Sequence, residues 1–269
     1  MLLFLQATGL PLVAQAGPRD DGAERAAEPA RGDRVNDPTR GPDARRLSRR
    51  SRSIGWPWRG RLEHGVELVE SPVLVRVGEY REGGHFFGTW ELVQLIERAA
   101  WRVHLRHPGA KLPVGELSRR TGGRLDGHRS HRSGRDADIG FYLLDAEGRP
   151  VNAPMAFARV RPNGSCTSPN TGFRFDDARN WELVAKLVAD GDARVQYIFV
   201  HRAIKRRLLD YGRRIGAPQV LIDRAAQAMI QPAGSHPHRN HFHVRIYCAP
   251  GDRPRCKDRP PFHDWYPGR

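Results

Sequence analysis

Cysteine is scarce: the 269-residue chain has three. Three cannot build a disulfide-dense scaffold, and an odd count leaves a thiol over. Long apolar runs are missing too. No stretch approaches the roughly 18 apolar residues of a membrane-spanning helix. Acidic residues are in deficit, 30 against 45 basic ones, for a formal charge of +15. Such a surface attracts polyanions, whether nucleic acid, anionic lipid or an anionic wall polymer, and charge alone does not choose among them. No segment repeats. The hydrophobic share, 39%, suffices for one core with a tail.

The N-terminus is apolar at Met1–Leu5 and Leu10–Val13 and runs into Ala14-Gln15-Ala16, a small-x-small cleavage pattern. Residues 1–16 read as a secretory leader, although the usual basic start is missing. The mature chain is therefore expected to begin near Gly17 and to lie in the periplasm. Residues 17–61 hold twelve arginines against seven acids and few large apolar side chains. Such a segment buries too little apolar surface to offset its ordering entropy, so it is expected to be a disordered linker. A single folded domain is expected over 62–269. In an exported protein Cys248 and Cys256 are expected to pair across a short loop with Gly251 and Pro254, leaving Cys166 alone.

Within the domain, short apolar runs at 66–70, 73–77, 114–118, 139–144, 195–200 and 241–247 read as strands. Helical spacing places Leu92, Leu95, Ile96, Ala99 and Val103 on one face over about 89–105, with Thr89 as its cap. Further helices are expected at about 177–189, 203–211 and 219–229. Residues 150–176 are loop-like. Short strands alternating irregularly with helices indicate an α+β fold.

The chemistry is concentrated in two places. Gly127 to Ile139 carries His128, His131, Asp136 and Asp138, with Gly134 between the pairs. Gly134 lets the chain fold back so that His131 and Asp138 reach one ion. Far downstream, His238-Arg239-Asn240-His241-Phe242-His243 supplies three more imidazoles. On a strand His241 and His243 share a face while Phe242 points to the core. A catalytic zinc site takes three protein ligands and leaves a position for water. One of the two strand histidines can therefore bind metal while the other acts on the water. The outlying His64, His85, His104 and His107 read as surface residues.

The segment Ser130 to Asp138 resembles the His-x(6)-Asp half of the LAS zinc peptidases. The wider pattern is Gly122-Gly123-Arg124, Gly127-His128-x-Ser130-His131-x-x-Gly134-x-Asp136-x-Asp138 and His238-x-x-His241-x-His243. It is similar to the penicillin-insensitive murein endopeptidases, as are Ile198 to Lys205 and Val244 to Cys248 with Cys256. The resemblance covers roughly 80–260. It implies a small antiparallel sheet flanked by helices. It implies a zinc ion on His131, Asp138 and His243, with His241 as base or transition-state stabiliser, His128 and His238 lining the site and Asp136 in support. It further implies that the substrate is peptidoglycan, cut at D-alanyl–meso-diaminopimelyl cross-links. Two departures stand out: there are too few cysteines for the several disulfides of better-known members, and Phe86-Phe87-Gly88-Thr89 replaces their Trp-Gly-His-Pro run. With water as nucleophile no serine is needed, so a β-lactam is not expected to inhibit. The alternatives are a D,D- or L,D-carboxypeptidase of the same fold, a non-catalytic wall-binding module, and a metal nuclease or DNA-binding protein prompted by the charge. The export signal and the motif spacing argue against a nucleic-acid partner.

Overall fold

The computed structural model describes residues 51–234 and 236–266. The expected leader and residues 17–50 of the expected linker lie outside the described residues. The chain begins with β1 (Arg52–Trp56), β2 (Arg59–Glu63), β3 (Val66–Glu67), β4 (Leu74–Arg76) and β5 (Phe87–Gly88). Then come α1 (Trp90–Arg106), β6 (Leu112–Val114), β7 (Asp136–Gly140), β8 (Leu143–Leu144) and β9 (Arg174–Phe175). The last part holds α2 (Asp177–Ala189), β10 (Val195–Phe199), α3 (Arg202–Arg214), α4 (Gln219–Ala228), β11 (Met229–Ile230) and β12 (His241–Ile246).

The helices form where the apolar spacing places them. Thr89 caps α1 by accepting from the Leu92 N–H, and Asp176 caps α2 by accepting from the Arg179 N–H. Six strands make the main sheet, in the order β11-β10-β12-β7-β6-β4. Its four central strands are antiparallel, and a parallel pair is added at each edge. The class is the expected α+β. Two strand boundaries move: the run at 114–118 ends as a strand at Val114, and the run at 139–144 starts at Asp136 and breaks after Gly140.

β7 and β12 each present two faces. Ala137, Ile139, Phe242 and Val244 are fully buried and join one core cluster with Leu95, Ile96, Val184 and Leu187 of the helices. Burying each large side chain among them stabilises the fold by roughly 1.5–3 kcal/mol. Asp136, Asp138, His241, His243 and Arg245 alternate with these and belong to the opposite face.

One correction concerns the start of the domain. β1 and β2 form a hairpin, Arg52 opposite Glu63 and Trp56 opposite Arg59, inside the stretch expected to stay disordered up to 61. Composition misses this because the hairpin is held by partners from the far end of the chain. The Ser53 N–H donates to Asp252 at 2.8 Å, and the Gly55 N–H to the Arg255 carbonyl at 2.9 Å. The fully buried Arg135 donates to Ser53 Oγ, to Asp258 and to the carbonyls of Ile246 and Lys257. A buried guanidinium needs such a set of acceptors. The Cys248–Cys256 disulfide is present as expected, and Cys166 is buried and free. No helix among the described residues is long and apolar enough to cross a membrane.

Candidate functional site

The register of β7 against β12 sets the site. His243 stands opposite Asp138 and Arg245 opposite Asp136. Residues directly opposed in an antiparallel pair share a face and lie close. The loop before β7 brings in His131, whose backbone is left-handed (φ 63°), a conformation costing roughly 1–3 kcal/mol in a non-glycine residue. Its own contacts hold it there: the His131 N–H donates to Asp136 Oδ2 at 3.3 Å, and the ring Nδ1–H donates to the Leu117 carbonyl. Gly134 makes the fold-back with φ 71°, and a Cβ there would lie 2.7 Å from the Leu62 side chain.

Tautomers follow from these bonds. A carbonyl only accepts, so His131 carries its proton on Nδ1 and presents the Nε2 lone pair. His243 Nε2 lies 2.9 Å from Asp136 Oδ1, so its proton is there and Nδ1 presents a lone pair. His131 Nε2 is 3.4 Å from Asp138 Oδ1, His243 Nδ1 is 3.0 Å from the same oxygen, and the two nitrogens are 3.2 Å apart. Asp138 Oδ1 is buried without a hydrogen-bond partner. In these neutral tautomers the three atoms turn their lone pairs toward a common point. A tetrahedral ion with bonds of roughly 2.0–2.1 Å has ligand atoms about 3.3 Å apart, so this donor set fits a divalent ion such as zinc. A looser group, His128 with His131 and Asp138, also has ligand atoms within 4.8 Å of one another.

The carboxylates are held ionised. Burial raises the pKa of Asp136, but the Arg245 guanidinium and the His243 N–H outweigh it and hold the pKa far below the usual range. Burial likewise raises that of Asp138, and His131 and His241 outweigh it. Burial lowers the pKa of His243, but the bond to Asp136 and the two carboxylate charges leave it raised.

Around this triangle stand the remaining imidazoles. His241 Nε2 lies 3.4 Å from Asp138 Oδ1, and its Nδ1 is 3.0 Å from Asn240 Oδ1. The Phe157 ring stacks on His241, centroids 5.2 Å apart and planes 25° apart. That ring occupies room that Gly115 and Gly140 leave free: a Cβ on either would come within 2.7 Å of it. His238 packs 5.1 Å from His241 and 5.8 Å from His243, ring to ring. Burial first, then its histidine neighbours, bring the His238 pKa down to about 4, so the ring is neutral at physiological pH. His128 Nε2 is 2.8 Å from Glu116 Oε2, and its Nδ1 is 3.7 Å from Asp138 Oδ2.

All six residues expected at the site, His128, His131, Asp138, His238, His241 and His243, are therefore brought together. Three others join them that sequence reasoning did not place there. Glu116 runs beside β7, with the Asp138 N–H donating to its carbonyl at 2.9 Å, and its carboxylate joins His128 to His85. His85 is thus a half-buried partner of Glu116 at 2.7 Å, not a free surface residue. Phe157 comes from the loop-like stretch. No local pattern marks a residue whose partner is distant in sequence; the lone acid in an otherwise apolar run was the one signal for Glu116.

The chain has named relatives among known proteins. Relatives named penicillin-insensitive murein endopeptidase include one from Klebsiella pneumoniae, 32% identical over 180 residues, and one from Salmonella arizonae, 34% identical over 179 residues. Each alignment covers 65% of this chain; it covers 59% of the Klebsiella protein and 58% of the Salmonella protein, so the chain spans less than two thirds of the curated relatives it matches. The penicillin-insensitive murein endopeptidase family as a whole matches residues 53–265, from the β1–β2 hairpin to beyond the disulfide loop. With nearly the whole described domain covered, the chain belongs to the penicillin-insensitive murein endopeptidase family.

Proposed function

We propose that this chain is a zinc-dependent endopeptidase that hydrolyses D-alanyl–meso-diaminopimelyl cross-links of peptidoglycan. The observation that carries the reading is the triangle of His131 Nε2, Asp138 Oδ1 and His243 Nδ1, with edges of 3.0–3.4 Å and His241 beside it. In this reading His131, Asp138 and His243 hold the ion. A zinc ion held there would supply Lewis-acid chemistry, lowering the pKa of a bound water to roughly 7 and polarising the scissile carbonyl.

His241 commits its Nδ1–H to Asn240 and keeps Nε2 toward the site. It takes a proton from the attacking water and returns one to the leaving amine. Phe157 holds the plane of that ring. Asp136 keeps the proton of His243 on Nε2. His128, bonded to Glu116, and neutral His238 line the pocket beside the ligands. No serine takes part, so a β-lactam does not inhibit. The apolar leader at 1–16 supports export to the periplasm, with residues 17–50 as a linker to the domain.

Digestion of purified peptidoglycan, with products identified by mass spectrometry, tests the reading. Cross-linked dimers should fall to monomers, a chelator should stop this, and added zinc should restore it. Release of terminal D-alanine with dimers left intact would make the chain a carboxypeptidase. Absence of any cleavage by the zinc-loaded protein would overturn the reading.

A further inference from the structure

Beside the metal site lies a second concavity, an open pocket of about 420 Å³ between the β1–β2 hairpin and the loop that carries His131. Its polar lining is cationic: Arg59 and Arg61 from the hairpin, Arg124 and Arg132 from the loop. Arg61 and Arg124 are matched by carboxylates, Glu63 at 3.1 Å and Asp126 at 3.1 Å. Arg59 and Arg132 have no acidic partner among the described residues. The Arg132 Nε is in addition buried and makes no hydrogen bond. A buried donor left unpaired is uncommon in a native fold and marks a place where an acceptor fits.

The walls are fixed relative to the metal site. The Arg132 N–H donates to the Pro57 carbonyl at 3.2 Å, the Leu62 N–H to the Thr121 carbonyl at 2.9 Å, and the Gly123 N–H to the Arg132 carbonyl at 2.9 Å. Gly60 lets the hairpin close on the loop, since a Cβ there would lie 2.9 Å from that of Ser133. Arg132 follows His131 directly in the chain. A group seated in the pocket is therefore held at a set position from the ligands.

We propose that this pocket is a receptor for an oxyanion carried by the wall substrate, a carboxylate or a phosphate bound by Arg59 and Arg132. The guanidinium fork matches both groups, and two forks in one small cavity suit a single compact anion better than an extended polymer backbone. Within the peptidase reading, on which this proposal rests, the anion is a free carboxylate of a peptide stem. The alternative source of the same chemistry is a phosphate of a wall polymer.

Calorimetric titration of the full zinc-loaded chain tests this with three probes: a stem tetrapeptide with free carboxylates, the same peptide fully amidated, and inorganic phosphate. The free-carboxylate peptide should bind, and amidation should weaken it about tenfold, the scale of one charge-assisted hydrogen bond. Arg59→Gln should cause a similar loss, Arg59→Lys a smaller one, and Arg206→Gln, on an exposed part of α3, none. Phosphate binding that depends on Arg59 while the peptide does not bind would assign the pocket to a polymer phosphate. Equal affinity for free and amidated peptide with no phosphate binding, or wild-type affinity in Arg59→Gln, would overturn the proposal. Peptidoglycan cleavage assayed on the same samples separates the two readings. Arg59-dependent binding without cleavage removes the peptidase and keeps the pocket, and the reverse removes the pocket alone.

Discussion

The Nε2–H of His243 donates to Oδ1 of Asp136 at 2.9 Å, and this bond decides which nitrogen of His243 faces Asp138. Asp136 is fully buried and also accepts from Arg245 at 2.6 Å, so it stays an acceptor. Asp136→Asn can present an amide N–H instead and turn the imidazole over. The expected result is a loss of about 10–100-fold in metal affinity, the usual cost of removing an outer carboxylate from a histidine ligand. Zinc titration against a competing chelator measures it, and unchanged affinity would mean that another contact orients His243.

Ligand and base should separate by mutation. His131→Ala, Asp138→Ala and His243→Ala should each lose both zinc and activity, because two remaining groups hold the ion poorly. His241→Ala should keep near-stoichiometric zinc and lose about 10²–10⁴ in rate. Metal content by atomic absorption, beside turnover of cross-linked muropeptide, reads both. A zinc-free His241→Ala with a zinc-loaded His243→Ala would swap the two assignments.

His128 belongs to the looser donor group with His131 and Asp138. Its Nδ1 stands 3.7 Å from Asp138 Oδ2, longer than any edge of the tighter triangle. His128→Ala is therefore expected to retain zinc while activity falls, and Glu116→Gln to do the same more mildly. Loss of the ion from purified His128→Ala would put His128 among the ligands.

Phe157, Gly140 and His241 form one packing unit. Phe157→Ala should cost about 3 kcal/mol or more in stability, as large-to-small changes of buried Phe do. Gly140→Ala pushes a methyl to within 2.7 Å of the ring and should cost roughly 1–3 kcal/mol by overpacking. In the double variant the methyl enters the space the ring vacated, so the combined loss should be smaller than the sum of the two single losses. Urea unfolding checks this; strict additivity would show that the glycine and the ring do not share that space.

Glu91 supplies a pH dependence outside the site. Its Oε2 is buried without a partner, and burial, helped by the charge of Asp252, raises its pKa from 4.5 to about 6. A raised acid binds its proton more tightly in the folded state, so ionisation destabilises the fold as pH rises from 4.5 and the penalty is complete above 6. Glu91→Gln should thus match wild type at about pH 4, where both are neutral, and exceed it by about 2 kcal/mol at pH 8. Chemical denaturation at the two pH values tests this, and equal stability at both would contradict it.

What the chain determined by itself is what local periodicity and spacing can carry. Leu92, Leu95, Ile96, Ala99 and Val103 recur at helical spacing behind Thr89, and α1 forms there. His241 and His243 are two apart with Phe242 between, and a strand has no other way to place them than two inward to the site and one into the core. Gly134 sits between His131 and Asp138 because the return needs a left-handed residue. All six expected site residues follow from those patterns together with the family resemblance.

Only the tertiary structure decided the rest. The register of β7 against β12 chose Asp138 as the partner of His243 and Asp136 as that of Arg245. Glu116 meets His85 and His128, Phe157 meets His241, and Arg135 joins Ser53 to Asp258 across most of the chain length. The hairpin from Arg52 to Glu63 is held by Asp252 and Arg255, so its own composition could not announce it. Contacts between residues so far apart leave no periodic trace, because the free energy that selects them comes from burial and hydrogen bonds that exist only once the sheet has assembled.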